Sequence, residues 1–177
     1  EIESMTSMLE RRGPDRTGLW REGPVAMGHT LLTTTPELAI EPQPVRDAAT
    51  GCVITADVRL DNRGELLSAL GLADRHDVLG DAGLILAAYL RWGDACVDHL
   101  LGDFAFVIWD PRERRLFCAR DHFGMRPFYY HHAAGRFFMF ASEPRAILVL
   151  PQVPYRIDHG RVADALVSGQ EWIDFTS

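Results

Sequence analysis

The chain has 177 residues, of which 47% are hydrophobic and 24% charged, enough apolar material for one globular domain with a real core. Its net charge of −7 and pI near 5.4 argue against a nucleic-acid partner. No apolar run reaches the length of a membrane span, the first residues lack the pattern of a signal peptide, and no membrane partner is expected. Three cysteines without a CxxC pair or a Cys/His cluster give neither a disulfide framework nor a metal site. They suit a reducing, cytoplasmic setting.

Residues 1–12 read as a helix with Ile2, Met5, Met8 and Leu9 on one face. Residues 17–22 and 25–32 read as two strands around a Glu-Gly-Pro turn. The Pro- and Thr-rich stretch 34–50 reads as a loop, and 51–60 as a β-branched strand. Asp61 or Asn62 is placed to cap a helix that buries Leu66, Leu67 and Leu70. Residues 80–102 read as two helices broken at Gly93, the first with Asp81 as a natural N-cap. Four strand candidates follow, 103–110, 114–121, 127–132 and 136–142, and predict an antiparallel meander. Between the first two, Arg112-Glu113-Arg114-Arg115 reads as an exposed hairpin turn. A short helix over 142–150 and a longer one from Asp158 complete the chain. The class is α+β: two groups of antiparallel strands with helices on their faces.

The stretch FCARDHFGMRPFYY, 117–130, places Arg120 and Asp121 between apolar runs, where unpaired charge is costly. It is either a working dyad or a structural corner. No nucleophile stands beside the two charges, which favours the corner, with Arg120 and Asp121 satisfying each other and nearby backbone. Gly124 permits the tight turn and Pro127 sets the entry to the next strand. His122, His131 and His132 fall near turns and suggest exposed or core-rim roles rather than ligation.

Several phrases stand together in one order: RRGPDRTGLW, VAMGH, DNRGELLSALG, LILAAYLRWG, LLGDFAFVIWD, RRLFCARDHFGMRPFYY and FASEPRAIL. In this order they resemble the amino-terminal glutaminase domain of asparagine synthetases, a class II glutamine amidotransferase domain, from Arg11 to about Val167. The resemblance implies a four-layer αββα sandwich of the amino-terminal-nucleophile hydrolase type. It implies a glutaminase-like domain over 1–167, and 168–177 as the start of a linker toward an ATP-dependent synthetase domain. In the family a Cys at the mature amino terminus is the nucleophile and its own α-amino group the base. Because Glu1 matches a helix well inside the family domain, that Cys and the first strand are expected to be absent. Cys52, Cys96 and Cys118 cannot replace it, so no catalytic residue is assigned.

The resemblance also locates a glutamine pocket, whose remnant would be Leu31, Thr33, Asp57, Val58, Arg59 and Asp81. Leu31 stands where the family has the Arg that clamps the substrate carboxylate, and it cannot make that ion pair. Asp57 and Val58 replace the Asn and Gly of the oxyanion hole; an ionised Asp57 would repel an oxyanion, and Val58 adds bulk. Asp81 matches the family residue that binds the substrate ammonium group; it is a helix cap, a pocket remnant, or both. Arg59 stands where the family has an acid. Its guanidinium is expected either to enter the pocket and pair with Asp81, with Asp57 as a further partner, or to turn to solvent. Similar decay is known in β-lactam synthetase and lasso-peptide macrocyclases. The implied function is a non-catalytic scaffold for the synthetase half. The alternative is an active glutaminase whose Cys lies upstream and whose partner is glutamine. ATP and magnesium are expected only in the synthetase domain, and no cofactor or metal in this one.

Overall fold

The structure, a computed structural model, describes residues 1–34, 36–75 and 78–167. Its centre is the sheet β3–β4–β5–β6, formed by Val45–Arg46, Val53–Leu60, Gly102–Asp110 and Arg115–Arg120, antiparallel throughout. Strands β4 and β5 are buried on both faces, and successive side chains alternate between them. Ile54, Ala56, Val58, Leu60, Phe104, Phe106 and Ile108 point to one core with the helices α3 (Arg63–Ala69) and α4 (Asp81–Trp92). Val53 and Val107 point the other way, to Met27 of a second layer.

That second layer holds two hairpins, β1–β2 (Arg16–Glu22 with Val25–Leu31) and β7–β8 (Tyr129–Ala133 with Phe137–Ala141). Helices α1 (Ile2–Ser7) and α5 (Pro144–Leu148) cover its outside, with Met5, Met8, Ala141, Ala146 and Ile147 between. The order of layers is αββα, as the resemblance implies. Gly28 lets β2 approach α1, since a Cβ there would collide with the Thr6 hydroxyl.

Four expectations are corrected. The meander is broken: β5–β6 belongs to the central sheet and β7–β8 forms its own pair, because the 121–128 loop carries the chain from one layer to the other. The 34–50 stretch contains a helical turn, α2 (Pro36–Ile40), and β3. Helix α1 ends at Ser7 rather than near residue 12 and gives way to turns closed by Leu9 N–H on Thr6 O and Arg12 N–H on Leu9 O. Asn62 stands at the N-cap of α3 without capping it; its amide instead bonds His99 O and the Leu101 N–H. The last helix, α6 (His159–Val167), begins as expected, with Asp158 Oδ1 accepting the Gly160 N–H at 2.8 Å. The 168–177 linker lies outside the described residues.

The basic turn is less idle than its sequence suggests. Arg112 donates from Nε and Nη2 to Asp110, a residue with no exposed surface, and Tyr89 Oη donates to the same carboxylate at 3.1 Å. The Arg112 bonds outweigh burial and hold the Asp110 carboxyl well below the usual carboxylate range. Asp110→Ala should therefore destabilise the chain by about 2–3 kcal/mol, since it takes the acceptor from the Tyr89 O–H, which keeps only the bond it accepts from Arg115, and removes charged hydrogen bonds. Urea unfolding measures this; a change no larger than that of an exposed-site control would contradict it.

Candidate functional site

A groove of about 550 Å³ runs between the facing edges of β2 and β8. Its walls carry Met27, Leu31 and Phe140, and its floor is β4–β5. Three of the six residues expected in the pocket line it: Leu31, Asp57 and Val58. Leu31, the last residue of β2, is 6% exposed, and its alternation with Met27 and His29 turns it inward. Asp57 faces the groove because odd residues of β4 point toward the hairpin layer. Val58, one residue on, belongs to the α4-side core, so the bulk expected in the pocket lies across β4 from Asp57. Thr33 is exposed beyond β2 and donates its N–H to Asp15 Oδ2 at 2.7 Å.

The Arg59–Asp81 pair does not form. Arg59 is 57% exposed and pairs with Asp61 at 3.0 Å. The reason is the strand period: Arg59 shares the odd face of β4 with Asp57, whereas α4 packs on the even face. Asp81 is reached from its own layer by Arg63 of α3, Nη1 to Oδ1 at 2.6 Å, with both side chains about one-tenth exposed. Arg63 also donates to Leu79 O, and Asp81 Oδ2 accepts the Leu60 N–H at 2.9 Å. Asp81 is therefore not the cap of α4. That N-terminus is met from outside by Glu41, which accepts the Gly83 N–H at 2.9 Å. Burial raises the Glu41 pKa against the pull of its bonds to the Gly83 and Gly80 N–H groups.

Asp57 is held from two sides. Arg12, after α1, reaches Oδ2 at 3.1 Å, and Arg126, in the 121–128 loop, reaches Oδ1 at 3.3 Å. Arg12 also approaches Glu143 at 3.9 Å. Beside them His29 lies inside the sandwich with its Nδ1 3.4 Å from Thr55 Oγ1. Burial pushes its pKa down to about 4, partly offset by the Asp57 charge, so the ring is neutral at physiological pH.

Arg120 and Asp121 form the expected corner, but each serves the loop rather than the other. Arg120 donates from Nε to Arg126 O and from Nη2 to Gly124 O, both at 2.5 Å. Asp121 accepts the N–H groups of Phe104, Met125 and Arg126. Burial would raise its pKa, but these backbone bonds win and hold it below the ordinary value. Gly124, at φ 62°, lies over the Arg120 guanidinium, where a Cβ would not fit. The cysteines are poor nucleophiles: burial pushes Cys96 up to about 12 and Cys118 up to about 11, and it raises Cys52 as well. Among the described residues no group of His, Cys, Asp and Glu is placed to hold a metal ion.

Arg12, His29, Glu41, Arg63 and Arg126 were not singled out by sequence. The phrases RRGPD, VAMGH, DNRGELLSALG and GMRPFYY marked four of them as fold identity, and nothing local marked Glu41.

Arg63→Ala leaves Asp81 largely buried without its guanidinium and should cost about 3 kcal/mol, while Arg59→Ala should change stability by less than about 0.5 kcal/mol. Equal losses in chemical unfolding would reject this assignment. His29 adds a pH dependence. Its folded pKa of about 4 lies below the ordinary 6.5, so the unfolded chain takes up the proton first. Stability should fall as pH drops from 6.5 toward 4, by at most about 3 kcal/mol from this group. His29→Asn should flatten that part of the profile, and an unchanged slope would refute it.

The sequence matches the family model described as glutamine amidotransferase domain over residues 1–174. It is 35% identical over 159 residues to asparagine synthetase [glutamine-hydrolyzing] 3 of Bacillus subtilis, covering 89% of this chain and 26% of that protein. It is 33% identical over 174 residues to a putative asparagine synthetase [glutamine-hydrolyzing] of Mycobacterium tuberculosis, covering 89% of this chain and again 26% of the relative. The chain thus spans about a quarter of the length of these relatives. Among solved structures, glutamine phosphoribosylpyrophosphate amidotransferase from B. subtilis superposes with a TM-score of 0.55 at 22% identity, over 70% of this chain and 29% of that one, a likeness of fold. With its αββα layers and these relatives, the chain belongs to the class II glutamine amidotransferase domain family, in which asparagine synthetases are its relatives.

Proposed function

We propose that this domain does not hydrolyse glutamine and serves as a scaffold for the ATP-dependent, amide-forming half of an asparagine-synthetase-type ligase. One observation carries the reading. Where the resemblance implies an amide donor to an oxyanion, the chain has Asp57, an ionic partner of Arg12 and Arg126. A carboxylate donates no hydrogen bond, and its charge opposes an oxyanion. The neighbouring clamp position is a buried leucine, and Asp81 is already engaged by Arg63 rather than open to a ligand ammonium. ATP and magnesium belong, on this reading, to the synthetase half.

A second reading keeps an active glutaminase whose Cys stands on a segment preceding Glu1. The groove between β2 and β8 favours it, because an extended segment laid there would join the two hairpins into one sheet. Ammonia release from glutamine by the parent protein separates the two. The scaffold reading expects none above background, with ATP-dependent amide formation from a free amine retained. Release that is lost when an amino-terminal Cys is replaced would establish the second.

Leu31→Arg, Asp57→Asn and Val58→Gly together should give weak glutamine binding by calorimetry but no turnover. Val58→Gly also opens the α4-side core at a cost of about 2–4 kcal/mol. The double variant Leu31→Arg, Asp57→Asn is the fallback should the triple not fold. A flat titration from a folded variant would count against the pocket assignment.

A further inference from the structure

We propose that residues 38–44 are a strap beside the groove whose closure a proton controls, with Glu41 as the catch. The strap leaves the groove at Leu38, which lines it, passes Glu41 over the start of α4, and meets the central sheet at Gln43. Between these points Ala39, Ile40 and Pro42 face water, so two polar side chains, Glu41 and Gln43, hold its middle. The catch works alike whether or not the domain hydrolyses glutamine.

The two attachments differ in kind. Gln43 is buried, donates from Nε2 to Ala56 O at 3.0 Å and accepts the Ala56 N–H on Oε1 at 2.7 Å. Its carbonyl lies over Gly18, where a Cβ would not fit. A side-chain amide does not titrate, so this end does not respond to pH. Glu41 is seated by shape as well as by bonds. Its carboxylate accepts the N–H groups of Gly83, at 2.9 Å, and of Gly80, and a Cβ on either glycine would collide with it. The charges that face it, Asp81 and Arg63, are paired with each other at 2.6 Å and pull on it in opposite directions. Burial outweighs the N–H bonds and raises the pKa of the seated carboxyl. The seated form thus holds a proton more tightly than a carboxyl in water. Protonation tightens the catch, and loss of the proton weakens it as pH rises through the raised value. Opening moves Leu38 off the groove wall, so the width of the groove follows pH. The sign is opposite to that of His29, whose protonation loosens the sandwich as pH falls.

Amide hydrogen exchange of the intact parent protein, read by mass spectrometry from about pH 5 to about pH 7.5, tests this. Corrected for the intrinsic rise of exchange with pH, peptides spanning the strap should lose protection by more than about threefold across that range, while β5 peptides stay protected. Glu41→Gln, which does not titrate, should flatten the strap's profile. Gly83→Ala unseats the carboxylate by shape alone and should leave the strap exchanging fast at every pH. Protection of β5 reports whether each variant folds, and either variant suffices if the other does not. A slope unchanged in a folded variant, protection of the strap that rises with pH, or an equal loss in β5 would each overturn the proposal.

Discussion

Strand β4 has eight residues and no free face, and most of the molecule follows from that constraint. Its even residues must meet helices and its odd residues the hairpin layer, because the side-chain period of a strand is two. Burying both faces demands apolar residues nearly throughout. The exceptions, Thr55, Asp57 and Arg59, all fall on the odd face, and each is accounted for. Thr55 bonds Gly28 O and meets His29, Asp57 takes two arginines, and Arg59 lies where the strand end reaches solvent. A one-residue slip would put Asp57 into the α4 core and Leu60 into water, so the register is strongly specified.

The same alternation divides the acidic groups into two electrostatic systems that do not share partners. On the hairpin side Asp57 ties the turn after α1 to the 121–128 loop through Arg12 and Arg126. On the helix side Asp81 ties α4 to α3 through Arg63 and to β4 through the Leu60 N–H. Asp81 sits away from bulk water, where an unpaired charge costs several kcal/mol, and Asp57 is partly buried. Each is met by a guanidinium, whose planar fork can serve a carboxylate and a carbonyl together, as Arg63 does with Asp81 and Leu79 O. This pairing makes the site a set of cross-braces between elements, and the same braces occupy the groups that a charged ligand would need.

The helices, the β4 strand and the two hairpins were legible because their signals are local: period, turn residues and β-branched runs. The layer order was legible only through the linked phrases, since no local rule says that β6 and β7 part company. Leu31 and Asp57 lie between such phrases, and both line the groove between β2 and β8. Arg59 was left with two orientations open although the information to choose was present: counting by two along β4 places it with Asp57 and away from α4. The partners of Arg63 and Glu41 were invisible for a different reason. They act across 18 and 42 residues of sequence, and a guanidinium on a helix or an acid in a proline-rich stretch has no pattern that names its partner.

The corner at 120–126 shows how charge can specify a fold without chemistry. The chain must leave the end of β6 and cross to the other layer, and a crossing exposes backbone groups that no sheet ladder satisfies. Asp121 collects three N–H groups, and Arg120 covers two carbonyls of the same loop. Adjacent strand residues point to opposite faces, so the two side chains brace the loop from two sides and have no need of each other. The loop then delivers Arg126 to Asp57, which connects the corner to the groove. A corner that positions Arg126 so firmly constrains whatever lies in the groove, and for that reason a stretch without a nucleophile still belongs to the working geometry of the domain.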